Sequence, residues 1–390
     1  MDGVMQMLRK VPCLIVRGGT SKGVYVERDV LPPEGSERDS LILGLFGSPD
    51  KRQIDGLGGA DKLTSKVAVM GPPTRPDCDV DYNFGQVMID LPMIDWNSNC
   101  GNLTAGAAVY GVYKGYVKSD ADQAQVAIHQ VNTGRRLLAT VPLSDGMPAT
   151  EGDFSIGGVP GSGARIDVNF ADFAGCTLKR GILPTGNTID QFDVPGLGRI
   201  QASVVDMANF HIFVRAADVG MDNALDIITL QNDPEVVSRL EAIRAAVAAE
   251  LDYIKGPDAA QQLRLKMNPL LFAVDAPRSF ESLNGQQVEK DSIDLFARSI
   301  TRGLFSKAYP ASGIIGTGVS AGIPGTITAE MAAGGSRAVG QEYTLKVGQP
   351  SGTFEVRCRL AEHNGEIAVE EATVGRTGRV LMDGVALVRV

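Results

Sequence analysis

The sequence predicts an α+β protein made of two similar halves, and three observations carry that prediction. Its 390 residues exceed what one hydrophobic core usually accommodates, so two domains are expected. Short apolar or alternating runs bounded by Gly, Pro, Asn and Asp outnumber stretches with helical spacing. A loop of small and polar residues opening into a small-residue helix, 97–113, is echoed at 306–325, which suggests two copies of one design.

In chain order, Val11–Val16 reads as a strand that runs into Arg17-Gly18-Gly19-Thr20-Ser21-Lys22-Gly23, and Val24–Val26 resumes it. Glu37–Phe46 has helical spacing and stops at Gly47-Ser48-Pro49-Asp50. A glycine-rich loop, Gln53–Asp61, delivers the strand Leu63–Met70, with Lys66 inside it. Asp79–Leu91 alternates as a strand, with a bulge or a change of face expected at Gly85-Gln86. After the helix from Leu103 to Lys114, strands are expected at Gln125–Asn132, Arg136–Val141 and Ile166–Phe170.

Strand and turn signals pause at Leu183–Asn187, which sets the expected domains at 1–186 and 187–390, with the last strand free to return to the first domain. Ile200–Met207, Phe210–Val214, Leu270–Val274 and part of Ser292–Ser299 read as strands. Pro234–Lys255 carries apolar residues at helical spacing and is the clearest amphipathic helix. Tyr343–Val347, Thr353–Leu360, Ile367–Val374 and Ala386–Val390 close the chain as strands.

Composition narrows the function. A net charge of -9 argues against nucleic acid as a partner, while local basic residues leave room for an anionic small molecule. The five cysteines follow no framework, so reduced thiols in a cytoplasm are expected. Three histidines, at 129, 211 and 363, are too scattered for a local metal motif, and no metal or cofactor is expected. No signal peptide or run of eighteen apolar residues is present, so a soluble, cytoplasmic protein without a membrane partner is expected.

Two groups of residues carry candidate chemistry. Cys100, in Asn97-Ser98-Asn99-Cys100-Gly101-Asn102, sits at a helix entrance, where unpaired N–H groups favour an anion or a thiolate. Gly101 admits a ligand to the backbone, and Asn99 and Asn102 can cap or donate; the plainer alternative is a small buried thiol. Lys66 is either a solvent-facing residue of a half-buried strand or a partly desolvated amine able to act as a base. The turn 17–23 joins two glycines, two hydroxyls and a lysine, which suits an anion or a solvated loop equally, and it lacks the Walker A spacing.

Arg17-Gly-Gly-Thr-Ser-Lys22, Asp55-Gly-Leu-Gly-Gly59, Thr64-Ser65-Lys66 and Asn99-Cys100-Gly101-Asn102 together resemble the PrpF-type isomerases, which include 2-methylaconitate, 3-methylitaconate and 4-oxalomesaconate isomerases. The resemblance covers nearly the whole chain. It implies the diaminopimelate epimerase-like fold, with two similar domains, each a curved, mostly antiparallel sheet around a central helix, and an active site in the cleft between them. It also implies a catalytic pair matching Lys66 and Cys100. The epimerases use a second cysteine, whereas this chain has Ser312-Gly313-Ile314-Ile315 there, which speaks against two-cysteine racemisation.

Moving a double bond by one position needs a base, an acid and donors aimed at a dienolate. Lys66 and Cys100 are expected to share the proton transfers. Arg17, Thr20, Ser21, Lys22, Ser65, Asn99, Gly101, Asn102, Ser312 and Gly313 are expected to hold the substrate carboxylates. The first expectation is a cofactor-independent 1,3-allylic isomerase of 4-oxalomesaconate in protocatechuate and gallate breakdown. A 2-methylaconitate or aconitate isomerase is the second, and a catalytically silent tricarboxylate-binding protein the third. A small tricarboxylate or keto acid is the expected partner, and a homodimer is allowed by, though not read from, the sequence.

Overall fold

The structure, a computed structural model, describes residues 8–97, 100–256, 258–335, 337–363 and 365–389. From the N-terminus the chain forms β1 (Leu8–Gly18), β2 (Ser21–Glu27), α1 (Ser36–Phe46), β3 (Lys66–Gly71), β4 (Val80–Val87), β5 (Ile94–Asp95) and α2 (Gly101–Tyr113). Next come β6 (Gln123–Gln130), β7 (Arg135–Ser144), β8 (Met147–Pro148), β9 (Ile166–Asn169), β10 (Asp190–Val194), β11 (Gly198–Met207) and β12 (Asn209–Arg215). Helices α3 (Ile227–Gln231), α4 (Pro234–Glu250) and α5 (Ala259–Leu265) precede β13 (Leu270–Asp275), β14 (Phe280–Glu281), β15 (Gln287–Val288), β16 (Leu295–Thr301) and β17 (Leu304–Phe305). The chain ends with α6 (Ala311–Gly322), α7 (Ile327–Met331), β18 (Glu342–Gln349), β19 (Gly352–His363), β20 (Glu366–Arg376) and β21 (Gly378–Arg389).

Two compact units result, 1–168 with 375–390, and 169–374. In the first, β1–β2 is antiparallel, β2–β3 parallel, β3–β4 antiparallel, β4–β6 parallel and β6–β7 antiparallel. The second repeats that series with β11–β12, β12–β13, β13–β16, β16–β18 and β18–β19. Each unit has one helix of small residues buried on nearly every side. In the first, α2 packs on β1, β2, β3, β4, β6, β7, β8 and β21; in the second, α6 packs on β11, β12, β18 and β19. A helix apolar all round belongs inside a core, and Ala and Gly let the strands close around it.

The other sheet faces carry the amphipathic helices. Leu41, Ile42, Leu45 and Phe46 of α1 pack with Val11, Cys13, Val24, Val26, Val67 and Val69. Leu240, Ile243 and Val247 of α4 pack with Val204, Ile212, Val214 and Leu271. Asp233 caps α4 by accepting from the N–H groups of Glu235 and Val236, with Pro234 in the first turn. Among the described residues no helix is long and apolar enough to cross a membrane.

Three expectations change. Residues 169–186 pack with the second unit: Gly175 N–H donates to the Asp206 carbonyl (2.8 Å), Asp206 N–H to the Ile182 carbonyl (2.9 Å), and Thr177 N–H to the Asp206 carboxylate (2.9 Å). Those partners, invisible to local pattern, decide which half the segment joins. No bulge interrupts β4 at Gly85-Gln86; the β3–β4 register is continuous, and Gly85 instead gives room to Val67, Ile94 and Trp96. The final strand is much longer than Ala386–Val390, because β21 pairs with β1 from Leu8↔Arg389 to Gly18↔Gly378.

Candidate active site

Ser65 fixes the start of β3. Its fully buried hydroxyl donates to Gln53 Oε1 (2.7 Å), which also accepts from Ala60 N–H (2.8 Å), while Gln53 Nε2 donates to Ser48 Oγ (2.9 Å). The glycine-rich loop thus folds around Gln53, and the expected substrate contact Ser65 is tied into that framework. Lys66 follows, only 7% exposed. Its Nζ donates to Gln86 Oε1 (2.7 Å) and lies 4.9 Å from the centre of the Phe84 ring. Gln86 is held by its own amide, which donates to the Ser65 carbonyl (2.9 Å). Among the described residues Lys66 has no carboxylate within ion-pair distance, so its surroundings are an amide and a ring face.

Cys100 is the N-cap of α2, with an extended backbone (φ -129°), and is 8% exposed. Its carbonyl accepts from Thr104 N–H (3.2 Å), Thr104 Oγ1 (3.1 Å) and the Tyr82 hydroxyl (3.4 Å). The amides of the first turn have no partner within the helix. Buried Arg376 lies close enough for its charge and that of Cys100 to interact: burial pulls the guanidinium down to about 9, and Cys100 opposes that pull. Burial likewise pushes the hydroxyls of Tyr25 and Tyr82 up, reinforced by the charge of Cys100. A guanidinium and a helix N-terminus both favour an anion between them.

Strand β4 links the lysine to the cysteine through side chains of one face. Tyr82, Phe84 and Gln86 alternate along one face, so successive members stand about 7 Å apart. Gln86 and Phe84 hold Lys66, and Tyr82 touches Cys100. The hairpin β1–β2 completes this face. A side chain on Gly18 would strike Asn102 and Gly106 of α2, and Gly19 turns with φ +52°. Asn102 Nδ2 donates to Thr20 Oγ1 (2.9 Å), locking the hairpin tip to the first turn beside Gly101. Ser21 pairs with Gly18 and so faces α2; its buried hydroxyl has no hydrogen-bond partner among the described residues.

Arg17 and Lys22 do not join this face. Gly18 and its partner Gly378 point at α2, so the neighbouring pairs Arg17↔Arg379 and Arg17↔Lys22 point away from it. Within the second unit, Ser312 Oγ accepts from Asn209 Nδ2 (2.6 Å), and Gly313 packs on Phe272 and Tyr309 at the start of α6. Asn99 lies outside the described residues. Sequence reasoning missed Tyr25, Tyr82, Gln86 and Arg376. The alternation of β4 could have flagged Gln86 and Tyr82, whereas nothing local marks Arg376.

The repeated units, each with a buried central helix, define a diaminopimelate epimerase-like fold. Solved structures agree: a methylitaconate-delta-isomerase matches with TM-score 0.86 and 37% identity over 98% of this chain and 96% of that one. A probable proline racemase from Agrobacterium radiobacter, 13% identical, matches in fold alone with TM-score 0.53 over 96% and 92%. The sequence model described as PrpF protein matches residues 8–389. Relatives include a 3-methylitaconate isomerase of Eubacterium barkeri, 37% identical over 96% of each chain, and a 2-methyl-aconitate isomerase of Shewanella oneidensis, 36% over 96% of each. A 4-oxalomesaconate tautomerase of Pseudomonas putida is 35% identical over 97% of this chain and 96% of its own. The chain belongs to the PrpF family, and these relatives are isomerases by name.

Proposed function

We propose that this protein is a cofactor-independent 1,3-allylic isomerase of 4-oxalomesaconate. The observation that carries the reading is a buried amine, Lys66, on the sheet face that meets α2, and a thiol, Cys100, at the N-cap of that helix, linked through Gln86, Phe84 and Tyr82 of β4. Lys66 in its neutral form removes a proton from the carbon between the ketone and the alkene. The electron pair spreads into a dienolate, and the same count of protons is restored at the far alkene carbon as the double bond moves. Cys100 gives its thiol proton to that carbon and is reprotonated as Lys66 releases the one it took, or it keeps the geometry while Lys66 makes both transfers.

The oxyanion of the dienolate suits the first-turn amides at Gly101 and Asn102 and the charge of Arg376. Ser21, with its unpaired hydroxyl, and Thr20 and Asn102 at the hairpin tip supply the polar contacts for a carboxylate. Ser312 and Gly313 are the corresponding candidates in the second unit. On this reading the protein acts in the cytoplasm on the product of a ring-cleavage reaction on protocatechuate or gallate. A 2-methylaconitate isomerase is the second reading, supported by a relative of that name at a similar identity.

Proton NMR in D2O tests both readings, with 4-oxalomesaconate and 2-methylaconitate given separately to the parent, Lys66→Met and Cys100→Ser. Deuterium incorporation with double-bond migration in the first substrate alone, lost in Lys66→Met and reduced about 100-fold or more in Cys100→Ser, is the expected result. Turnover of methylaconitate alone would transfer the protein to the second reading. No exchange in either would refute both.

A further inference from the structure

The residues that turn away from Lys66 and Cys100 build a site of their own. Cross-strand pairing sets Lys22, Arg17 and Arg379 side by side on that face. Like charges directly opposite each other repel, and no carboxylate lies within ion-pair distance of these three among the described residues. Arg17 Nη1 donates to the Gly19 carbonyl (3.0 Å), the Thr377 carbonyl (3.2 Å) and Thr377 Oγ1 (2.9 Å). Every hydrogen bond of its guanidinium among the described residues leaves from that one nitrogen, so Nε and Nη2 remain open.

Arg17, Thr377 and Arg379 form the polar floor of a cavity of ≈ 130 Å³. The segment 150–162 roofs it, with Phe154, Ile156, Val159 and Pro160 among the residues on that side. That roof is preformed: Phe154 and Gly163 exchange backbone hydrogen bonds (3.2 and 3.0 Å), and Ser155 Oγ donates to the Gly161 carbonyl (3.2 Å). Glu151 also lines the cavity, beyond ion-pair distance of either guanidinium, so the lining carries a net single positive charge for a ligand to meet. An apolar cavity of about 150 Å³ takes a six-carbon ring, so this one has room for a short carbon stem.

We propose that this cavity is a second binding site for a short aliphatic monocarboxylate, its carboxylate on Arg17 and Arg379 and its stem under Ile156 and Val159. Fork-shaped guanidinium donors match a carboxylate in geometry and charge. The site is separate from the proposed catalytic face and does not depend on the reaction assigned there.

The test uses full-length Lys66→Met, which removes turnover from the readout, titrated with butanoate by calorimetry. Saturable one-to-one binding is expected, weakened about tenfold or more by adding Arg379→Gln and also weakened by Ile156→Ser. Circular dichroism on each variant checks that it is folded. Equal affinity with and without Arg379→Gln, or no saturable binding, would overturn the proposal. Inorganic phosphate binding as tightly as butanoate would overturn it too, since the apolar roof would then contribute nothing.

Discussion

Lys66 and Gln86 are ladder partners on β3 and β4, and the amine of one donates to the side-chain carbonyl of the other at 2.7 Å. The bond orients Nζ along the face that carries Phe84 and Tyr82, which lead to Cys100. Gln86 is therefore a positioning residue for the proposed base.

Replacing Gln86 tests that relationship through pH. Gln86→Glu puts a carboxylate against the amine, and an adjacent opposite charge favours the protonated form. The limb of the pH–rate profile on which activity rises with pH should move upward by about one unit or more, with kcat at neutral pH falling more than KM changes. A profile that superimposes on the parent's would show that Gln86 does not govern the proton-taking group.

Ser21 offers a second measurement. Its buried hydroxyl has no partner among the described residues, an arrangement that normally destabilises a fold unless a ligand uses the group. Ser21→Ala should leave unfolding stability within about 1 kcal/mol of the parent, or raise it, while KM increases several-fold. Loss of stability with unchanged KM would make Ser21 a framework residue.

Arg376 is expected to govern the reactivity of Cys100. A neighbouring guanidinium favours the thiolate, the form that alkylates. Arg376→Met should slow the reaction of iodoacetamide at Cys100 by roughly fivefold or more, read by mass spectrometry of that peptide in the folded protein. An unchanged rate would mean that helix α2 alone sets the reactivity.

His211 predicts acid sensitivity in the second unit. It is wholly buried on β12 beside Phe213 and Phe272, and burial pulls its imidazole from 6.5 down to about 3. The folded protein keeps it neutral, while the unfolded chain takes up a proton near pH 6.5. Its contribution to stability is complete above about pH 6.5 and is lost as pH falls towards about 3, by about 1.4 kcal/mol per unit. Urea unfolding between pH 6 and 5 should show a slope steeper in the parent than in His211→Gln by about that amount. Parallel slopes would remove His211 from the acid response.

Much of this protein is legible from local pattern. The alternation of Val80, Tyr82 and Phe84, the helical spacing of Pro234–Glu250 and the Asn-Cys-Gly-Asn entrance to a small-residue helix give β4, α4 and the place of Cys100. Local reading works there because strand, helix and cap depend on near neighbours.

Tertiary structure alone decided which polar residues face that entrance. Arg17 and Ser21 belong to one turn motif, yet the pairing of Gly18 with Ser21 and Gly378 sends Ser21 to α2 and Arg17 to the opposite face. Ser65, beside the proposed base, is captured by Gln53, and Arg376 reaches Cys100 from near the far end of the chain. The physical reason is that β3 is buried along its whole length and β1 carries consecutive buried residues at Cys13 and Leu14, so neither strand alternates cleanly. The sequence therefore shows that these strands exist but not which side meets the helix, a choice made by partners distant along the chain.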